Sequence, residues 1–357
     1  MSMGGCCSSF NFLNQKVMTF LKKILPAFIL LVLVSACDEQ APDPIESEPA
    51  WQTITSSNQP MERHEHAYVA VGDLFYLVGG RNERPVQVYN PASNSWDTRS
   101  APPFQMHHFQ AVAYQNKIYV MGAFTEGFPY EKPIPNIYIY DPATDEWSEG
   151  PEIPEDRRRG GAGVVVYQDQ FYIVSGIQNG HADGHVTWLD RYNPATGEWT
   201  QLADAPRARD HFHAVEIDGK LYAAAGRRSS FATNQTIQLT MSEVDVYDFA
   251  TDTWTTLPAS SNLPTERAGV AAVAYQGKLV VLGGESARRV PGADDPQPAH
   301  NEVEAFNPQT QQWETMAPMN QGRHGIQALV HGDNIYVAAG SKTLGGNEIN
   351  SHEVYIP

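Results

Sequence analysis

The chain has 357 residues, enough for about two ordinary domains or one large repeat architecture. Charged residues make up 18%, aromatics 10%, and 28 glycines and 25 prolines punctuate the chain, which excludes a coiled coil and favours many short strands joined by turns. With 24 Lys plus Arg against 41 Asp plus Glu, the formal charge of −17 would be repelled by phosphate backbones, so a nucleic-acid partner is excluded.

The N-terminal stretch reads as an address. Lys22 and Lys23 precede an apolar run over residues 24–34 that is too short to span a bilayer and contains Pro26, so a cleaved export signal fits. Met18 is the expected initiator, with residues 1–17 an over-long start. The only cysteines, Cys6, Cys7 and Cys37, all fall before residue 38, so the rest of the chain holds no disulfide and no cysteine metal ligand. Val34-Ser35-Ala36-Cys37 resembles the bacterial lipoprotein signal: an aliphatic residue, two small ones and a thiol. That resemblance implies removal of residues 1–36, palmitate-type acylation of Cys37, and a protein exported to the bacterial cell envelope and held to its membrane by lipid, facing the periplasm or the cell surface. Several acyl chains on one residue anchor stably where a single chain does not. Residues 37–50, rich in Pro, Asp and Glu, cannot bury a core and read as a tether. Without the first 36 residues, 21 basic side chains stand against 41 acidic ones.

An internal repeat organises residues 51–357. One 18-residue phrase recurs without gaps: RHEHAYVAVGDLFYLVGG (63–80), MHHFQAVAYQNKIYVMGA (106–123), RGGAGVVVYQDQFYIVSG (159–176), RDHFHAVEIDGKLYAAAG (209–226), RAGVAAVAYQGKLVVLGG (267–284) and RHGIQALVHGDNIYVAAG (323–340). The first five copies are followed by a variable stretch and then a strand, a turn and a tryptophan, at Trp96, Trp147, Trp199, Trp254 and Trp313. These residues resemble the kelch repeat, with its paired glycines and its later Tyr and Trp. Ala123, Ser175, Ala225 and Ala339 replace one glycine of the pair, and Val280 replaces the usual tyrosine. The resemblance implies an all-β, six-bladed kelch β-propeller.

Strand physics points the same way. Each unit carries four short alternating segments separated by turn chemistry such as Val71-Gly72-Asp73 and Asn90-Pro91. One four-stranded sheet cannot cover its own faces, whereas radial packing does so. The sixth copy lacks its Trp-bearing strand, and an unmatched one, Trp51-Gln52-Thr53-Ile54, precedes the first copy. The N-terminal strand around Trp51 is therefore expected to complete the C-terminal blade and remove the free edges. Each Trp is expected to pack between adjacent blades.

The connections after the glycines are long (123–136, 177–188, 227–242 and 285–301) and should emerge on the face where the first strands start. That face carries Arg63, His64, His107, His108, Arg159, Arg209, Asp210, His211, Arg267, Arg323 and His324, which are expected to converge on the mouth of the central funnel as the ligand-binding set. Arg81, Arg227 and Glu285, directly after the glycines, should lie near it. An arginine cluster suits carboxylate or sulfate, although in kelch repeats arginine at this position is often bonded to a neighbouring blade. His66 occupies the repeat's habitual histidine position and reads as structural. His181 and His185, around Asp183, sit in a Gly-rich stretch that reads better as a plain turn than as a metal site. No cofactor is expected, and a zinc or manganese site of His and Asp is the alternative.

Function is set by a site rather than a fold. The first expectation is a monomeric binding or interaction module, carbohydrate-binding or protein-binding, for an anionic sugar or protein segment. The alternative is an enzyme on acidic carbohydrate. Resemblance to kelch propellers brings in galactose oxidase, whose copper site needs a cysteine that this repeat region lacks. It also brings in sialic-acid mutarotases, whose carboxylate-and-arginine pairing could come from Glu285 or Asp210 with Arg227 or Arg209. Propeller polysaccharide lyases, using His, Tyr and Arg on uronates, complete the set. Whether the chain is an enzyme stays open at this point.

Overall fold

The computed structural model describes residues 48–357, and the expected export signal, Cys37 and most of the expected tether lie outside them. Six four-stranded antiparallel sheets account for the strands, apart from one two-stranded ribbon in the loop 123–136. The inner strands are His66–Val71, Val112–Tyr114, Gly163–Tyr167, Ala214–Ile217, Ala271–Tyr275 and Ala328–His331. Each touches the next around an axis, and the sixth touches the first, so the sheets form a closed six-bladed propeller. Among the described residues the only helices are three single 3-10 turns.

The first sheet runs His66–Val71, Leu74–Gly79, Gln87–Asn90 and Ser95–Thr98, from the axis outward. The sixth runs Ala328–His331, Asn334–Ala338, His352–Ile356 and then Ala50–Thr53, so the N-terminal strand is the outer strand of the C-terminal blade, as the repeat register requires. The tryptophans sit between blades. The indole nitrogens of Trp199, Trp254 and Trp313 donate to Glu152, Ala203 and Ser261 carbonyls in the preceding blade at 3.2, 2.8 and 2.8 Å.

The axis is stratified. At the loop-bearing end, the third residue of each copy (Glu65, His108, Gly161, His211, Gly269, Gly325) forms a closed ring of backbone hydrogen bonds. Each N–H donates to the carbonyl of the equivalent residue in the previous blade, at 2.6 to 3.1 Å. All six have positive φ, between 56° and 63°. A Cβ on Gly325 would come within 2.8 Å of the Glu65 nitrogen, so this copy needs glycine for space as well as for φ. Below the ring, the Gln110 amide oxygen accepts from the Val164 and Ala214 nitrogens at 2.9 Å, and the Gln327 amide clasps Ala111, closing the channel with polar staples. Beyond them the equivalent Val69, Val112, Val165, Val215, Val273 and Leu329 line the channel, together with polar groups such as Glu216.

Candidate functional site

Three repeat positions build the mouth. In copies two to six the second residue pairs by an antiparallel bridge with the residue after the glycines, as in His107 with Phe124, Asp210 with Arg227 and His324 with Ser341, and in the first copy the Arg81 N–H donates to the His64 carbonyl at 3.2 Å. These backbone pairings fix where His64, Asp210, His324, Arg81, Arg227 and Glu285 start, and the ring residues Glu65, His108 and His211 point in from the axis. A cavity of about 430 Å³ lies between them, lined by His64, Glu65, Arg81, His108, His181, Arg227, Glu285 and His324. Phe128 and Ile237 from the long loops also line it. Phe128 (52% exposed), Tyr130 (65%) and Phe231 (41%) form an edge-to-face aromatic rim in which Phe128 also meets His181.

The polar groups are mutually committed. Arg227 donates to Glu285 at 2.6 Å and to Ser229 at 2.9 Å, and Ser229 donates to Asp210. Arg81 donates to Glu131 at 3.1 Å, and Glu131 accepts from His181 Nδ1 at 2.9 Å. His324 lies 3.4 Å from Glu285 and 3.7 Å from Glu65. Burial opposes charge on His324, yet Glu285 and Glu65 outweigh it and raise its pKa above the ordinary histidine value. Burial likewise opposes ionisation of Glu285, but His324 and Arg227 hold its pKa down to about 2. Burial pushes His108 well below the usual histidine range and Arg81 pushes it further, while burial lowers His181 against the pull of Glu131.

His108, His181 and His211 bring one ligand nitrogen each to within 4.8 Å of one another, all three buried, and are the metal-capable group among the described residues. His185 reaches Asp210 at 3.4 Å. The Gly-rich stretch 177–188, read from sequence as a plain turn, therefore delivers His181 into the centre of the mouth.

Comparison with known proteins decides the family. A family model described as the Attractin/LZTR1 beta-propeller matches residues 45–291, and a Kelch motif model matches residues 266–320. The chain is 30% identical over 333 residues to Kelch-like protein terF of Aspergillus terreus, covering 88% of this chain and 70% of that protein. The chain belongs to the kelch-repeat β-propeller family. Kelch-like protein 36 of Mus musculus is 27% identical over 236 residues, and the match spans 35% of its length. A solved structure described as "Structure of YjhT" superposes with a TM-score of 0.69 at 15% identity, covering 83% of this chain and 95% of that one, a likeness of fold.

Within the kelch frame the expected residues divide sharply. His64, His107, His108, Asp210, His211 and His324 do gather at the mouth: His64, His108 and His324 line the cavity, and His107 and Asp210 back His108 and His211. Arg63, Arg159, Arg209, Arg267 and Arg323 do not. Their side chains run back into the blade, 1% exposed or less. Each caps a carbonyl at or just past the end of the second strand: Gly79, Ser175, Ala225, Gly283 or Ala339. Each also meets a third-strand side chain: Gln87, Asp190, Asp245, Glu304 or Glu353. The partners lie in the arginine's own blade, not in a neighbouring one, because the guanidinium fork spans the carbonyl and the carboxylate of adjacent strands. The copy with Met106 instead of arginine has Tyr138 at the third-strand position, and both join the same apolar cluster.

Glu65 and Glu131 were missed. Aligning the third residue of the six copies as Glu, His, Gly, His, Gly, Gly exposes Glu65: glycine in three copies marks a position of unusual φ, and chemistry-bearing residues there are costly without a purpose. For Glu131, within an irregular loop, no sequence signal existed beyond loop length.

Proposed function

We propose that this kelch propeller is a binding module whose mouth takes a small, hydroxyl-rich ligand of the sugar class. The observation that carries the reading is the mouth cavity itself: carboxylates and histidines at its floor accept and donate hydroxyl hydrogen bonds, while the exposed Phe128, Tyr130 and Phe231 offer apolar plates at its rim. The arginine row that suggested an anionic partner is spent inside the blades. The remaining guanidiniums, Arg81 and Arg227, are each paired to a carboxylate, so they supply hydrogen-bonding direction rather than free positive charge. A neutral sugar, or the hydroxyl face of an acidic one, fits better than a simple anion.

A second reading is favoured by His324, which lines the cavity between Glu65 and Glu285, the two carboxylates that raise its pKa above the ordinary histidine value, so that it is placed to hold and give up a proton beside a bound ligand. On that reading the module also performs acid–base chemistry on its ligand. Export and lipid attachment through Cys37 complete the proposal, supported by the order of charge, apolar run, small residues and cysteine in residues 22–37.

Saturation-transfer NMR with a panel of neutral and acidic mono- and oligosaccharides tests the ligand class. Binding is expected to weaken at least tenfold in Arg227→Ala and in the double variant Phe128→Ala/Phe231→Ala. If no sugar binds, or hits bind both variants like wild type, the mouth is not a sugar site. Acid–base action would show as solvent-isotope incorporation or anomer exchange in a bound hit that disappears in His324→Gln. Cys37→Ser should move the protein from the membrane fraction to the soluble fraction.

A further inference from the structure

The three histidines at the base of the mouth have tautomers that the hydrogen bonds decide. The Glu126 carbonyl can only accept, so His107 Nε2, 3.0 Å away, carries a proton and donates to it. His107 Nδ1 is then a lone-pair acceptor, and His108 Nδ1, 2.6 Å from it, must donate. That leaves the lone pair of His108 on Nε2, where Arg81 approaches as a donor at 3.4 Å. His181 Nδ1 donates to the Glu131 carboxylate at 2.9 Å, and His211 Nδ1 donates to Asp210. In the neutral rings both remaining Nε2 atoms are therefore acceptors, and they face each other at 3.0 Å.

Two imidazole lone pairs facing each other across 3.0 Å in a buried site repel, and only a proton or a metal cation between them relieves this. Ligands about 2.0 Å from a four-coordinate zinc-class ion stand about 3.3 Å apart. The His181–His211 separation is close to that, and the third nitrogen is within 4.8 Å. Carboxylates on the outer nitrogens, Glu131 behind His181 and Asp210 behind His211, are the supports that orient metal-bound imidazoles and raise their basicity. Charge agrees: four buried carboxylates, Glu65, Glu131, Asp210 and Glu285, face two guanidiniums, Arg81 and Arg227, and even with a proton on His324 the side chains leave negative charge that a cation would offset. Backbone cost agrees as well, since His108 and His211 are held at φ 56° in a ring where three of the other four copies use glycine.

We propose that His108, His181 and His211 bind one divalent first-row transition-metal ion through their Nε2 atoms, at the floor of the mouth cavity. Glu65, whose carboxylate lies 3.5 Å from His108 Nε2, is an oxygen donor within reach for a further position. His108 and His181 also line the cavity, so a ligand in the mouth would meet the ion's open side. The inference goes beyond the sugar reading and stands without it, because it rests on ring tautomers and not on any ligand.

The test uses the full, untagged chain with Cys6, Cys7 and Cys37 replaced by serine, so that thiols contribute nothing. After chelator treatment it is titrated with zinc, and separately with cobalt(II) for its visible ligand-field bands. The expected results are one equivalent of zinc bound, a raised thermal midpoint, and cobalt bands of a low-coordinate imidazole site. His181→Ala and His211→Ala should each lose the stoichiometric site, while His331→Ala, on the surface away from the mouth, retains it. Glu131→Gln should weaken zinc about 10- to 100-fold, as removal of an orienting carboxylate does. Wild-type ring-nitrogen NMR guards against variants that fail to fold: zinc should shift three histidine Nε2 resonances together. Binding well below one equivalent, binding that survives both His→Ala changes, or a proton shared between His181 and His211 that persists at saturating zinc would each overturn the assignment.

Discussion

Trp51 stands directly across from Tyr355, in register on neighbouring strands, with ring centroids 5.7 Å apart. The same cross-strand pair recurs as Tyr89–Trp96, Tyr140–Trp147, Tyr192–Trp199, Tyr247–Trp254 and Phe306–Trp313, at 4.9 to 5.3 Å. Residues some 300 positions apart thus rebuild the pair that every other blade makes from one hairpin. The Trp51 indole also donates to the Ala317 carbonyl of the fifth blade at 2.9 Å, so a single side chain joins the N-terminal strand to two blades.

Trp51→Ala should therefore unfasten the ring. Truncating a large buried aromatic costs about 3–5 kcal/mol, and here the loss falls on the closure. Hydrogen exchange is expected to accelerate first in Ala50–Thr53 and His352–Ile356, before Gly163–Tyr167 on the far side of the ring. An unchanged thermal midpoint with unchanged protection would show that closure does not depend on this pair.

The buried arginines yield a double-mutant cycle. Arg267 reaches Glu304 at 2.5 Å with both side chains buried, and blade two shows the apolar alternative in Met106 and Tyr138. Arg267→Met alone or Glu304→Tyr alone should cost about 3–5 kcal/mol, because each strands a buried charge. The double variant should recover about 2–3 kcal/mol of the summed loss. Additive losses in urea unfolding would mean that the two side chains act independently.

Much of this was legible because it repeats. The blade count, the hairpins and the Trp51 closure follow from an 18-residue phrase copied six times, where each copy checks the others. The arginine row shows the limit of that logic. A repeated residue at a strand start marks equivalent places but not the direction of a long side chain, and Arg159 turns toward Asp190 in its own blade instead of the axis. The partner acid, two residues before the third-strand aromatic in four of these copies (Asp190, Asp245, Glu304, Glu353), was itself a signal that the charge is internally matched. The site depends on what does not repeat, such as Glu131 and His181, delivered by irregular loops whose course no periodicity predicts.

The axial ring carries a prediction of unusual sign. At ordinary positions glycine is less stable than alanine, but His108 and His211 sit at φ 56° and Glu65 at 58°, where a Cβ is strained by about 1–2 kcal/mol. His108→Gly should therefore be more stable than His108→Ala by about 1 kcal/mol, and the same order should hold at 65 and 211. Differential scanning calorimetry of the Gly and Ala variants reads this directly. Alanine proving the more stable at all three positions would show that the ring is not held in the left-handed region.

Acid should destabilise the propeller through its buried neutral histidines. His352 is enclosed by Tyr68, Tyr89 and Trp96, and burial, with Arg323 adding to it, lowers its pKa from 6.5 to about 3. Above pH 6.5 neither the folded nor the unfolded state protonates this ring, and its neutral form costs nothing. Between 6.5 and about 3 the unfolded chain gains a proton that the folded one refuses. Stability then falls with falling pH, by about 1.4 kcal/mol per unit for one such group. His352→Gln keeps a polar atom near the Tyr68 hydroxyl, which lies 3.1 Å from His352 Nε2, but removes the titration. The variant should show a shallower loss of stability than wild type over that window, measured by urea midpoints at successive pH values. Equal slopes would mean that His352 is protonated in the fold and that its pocket admits water.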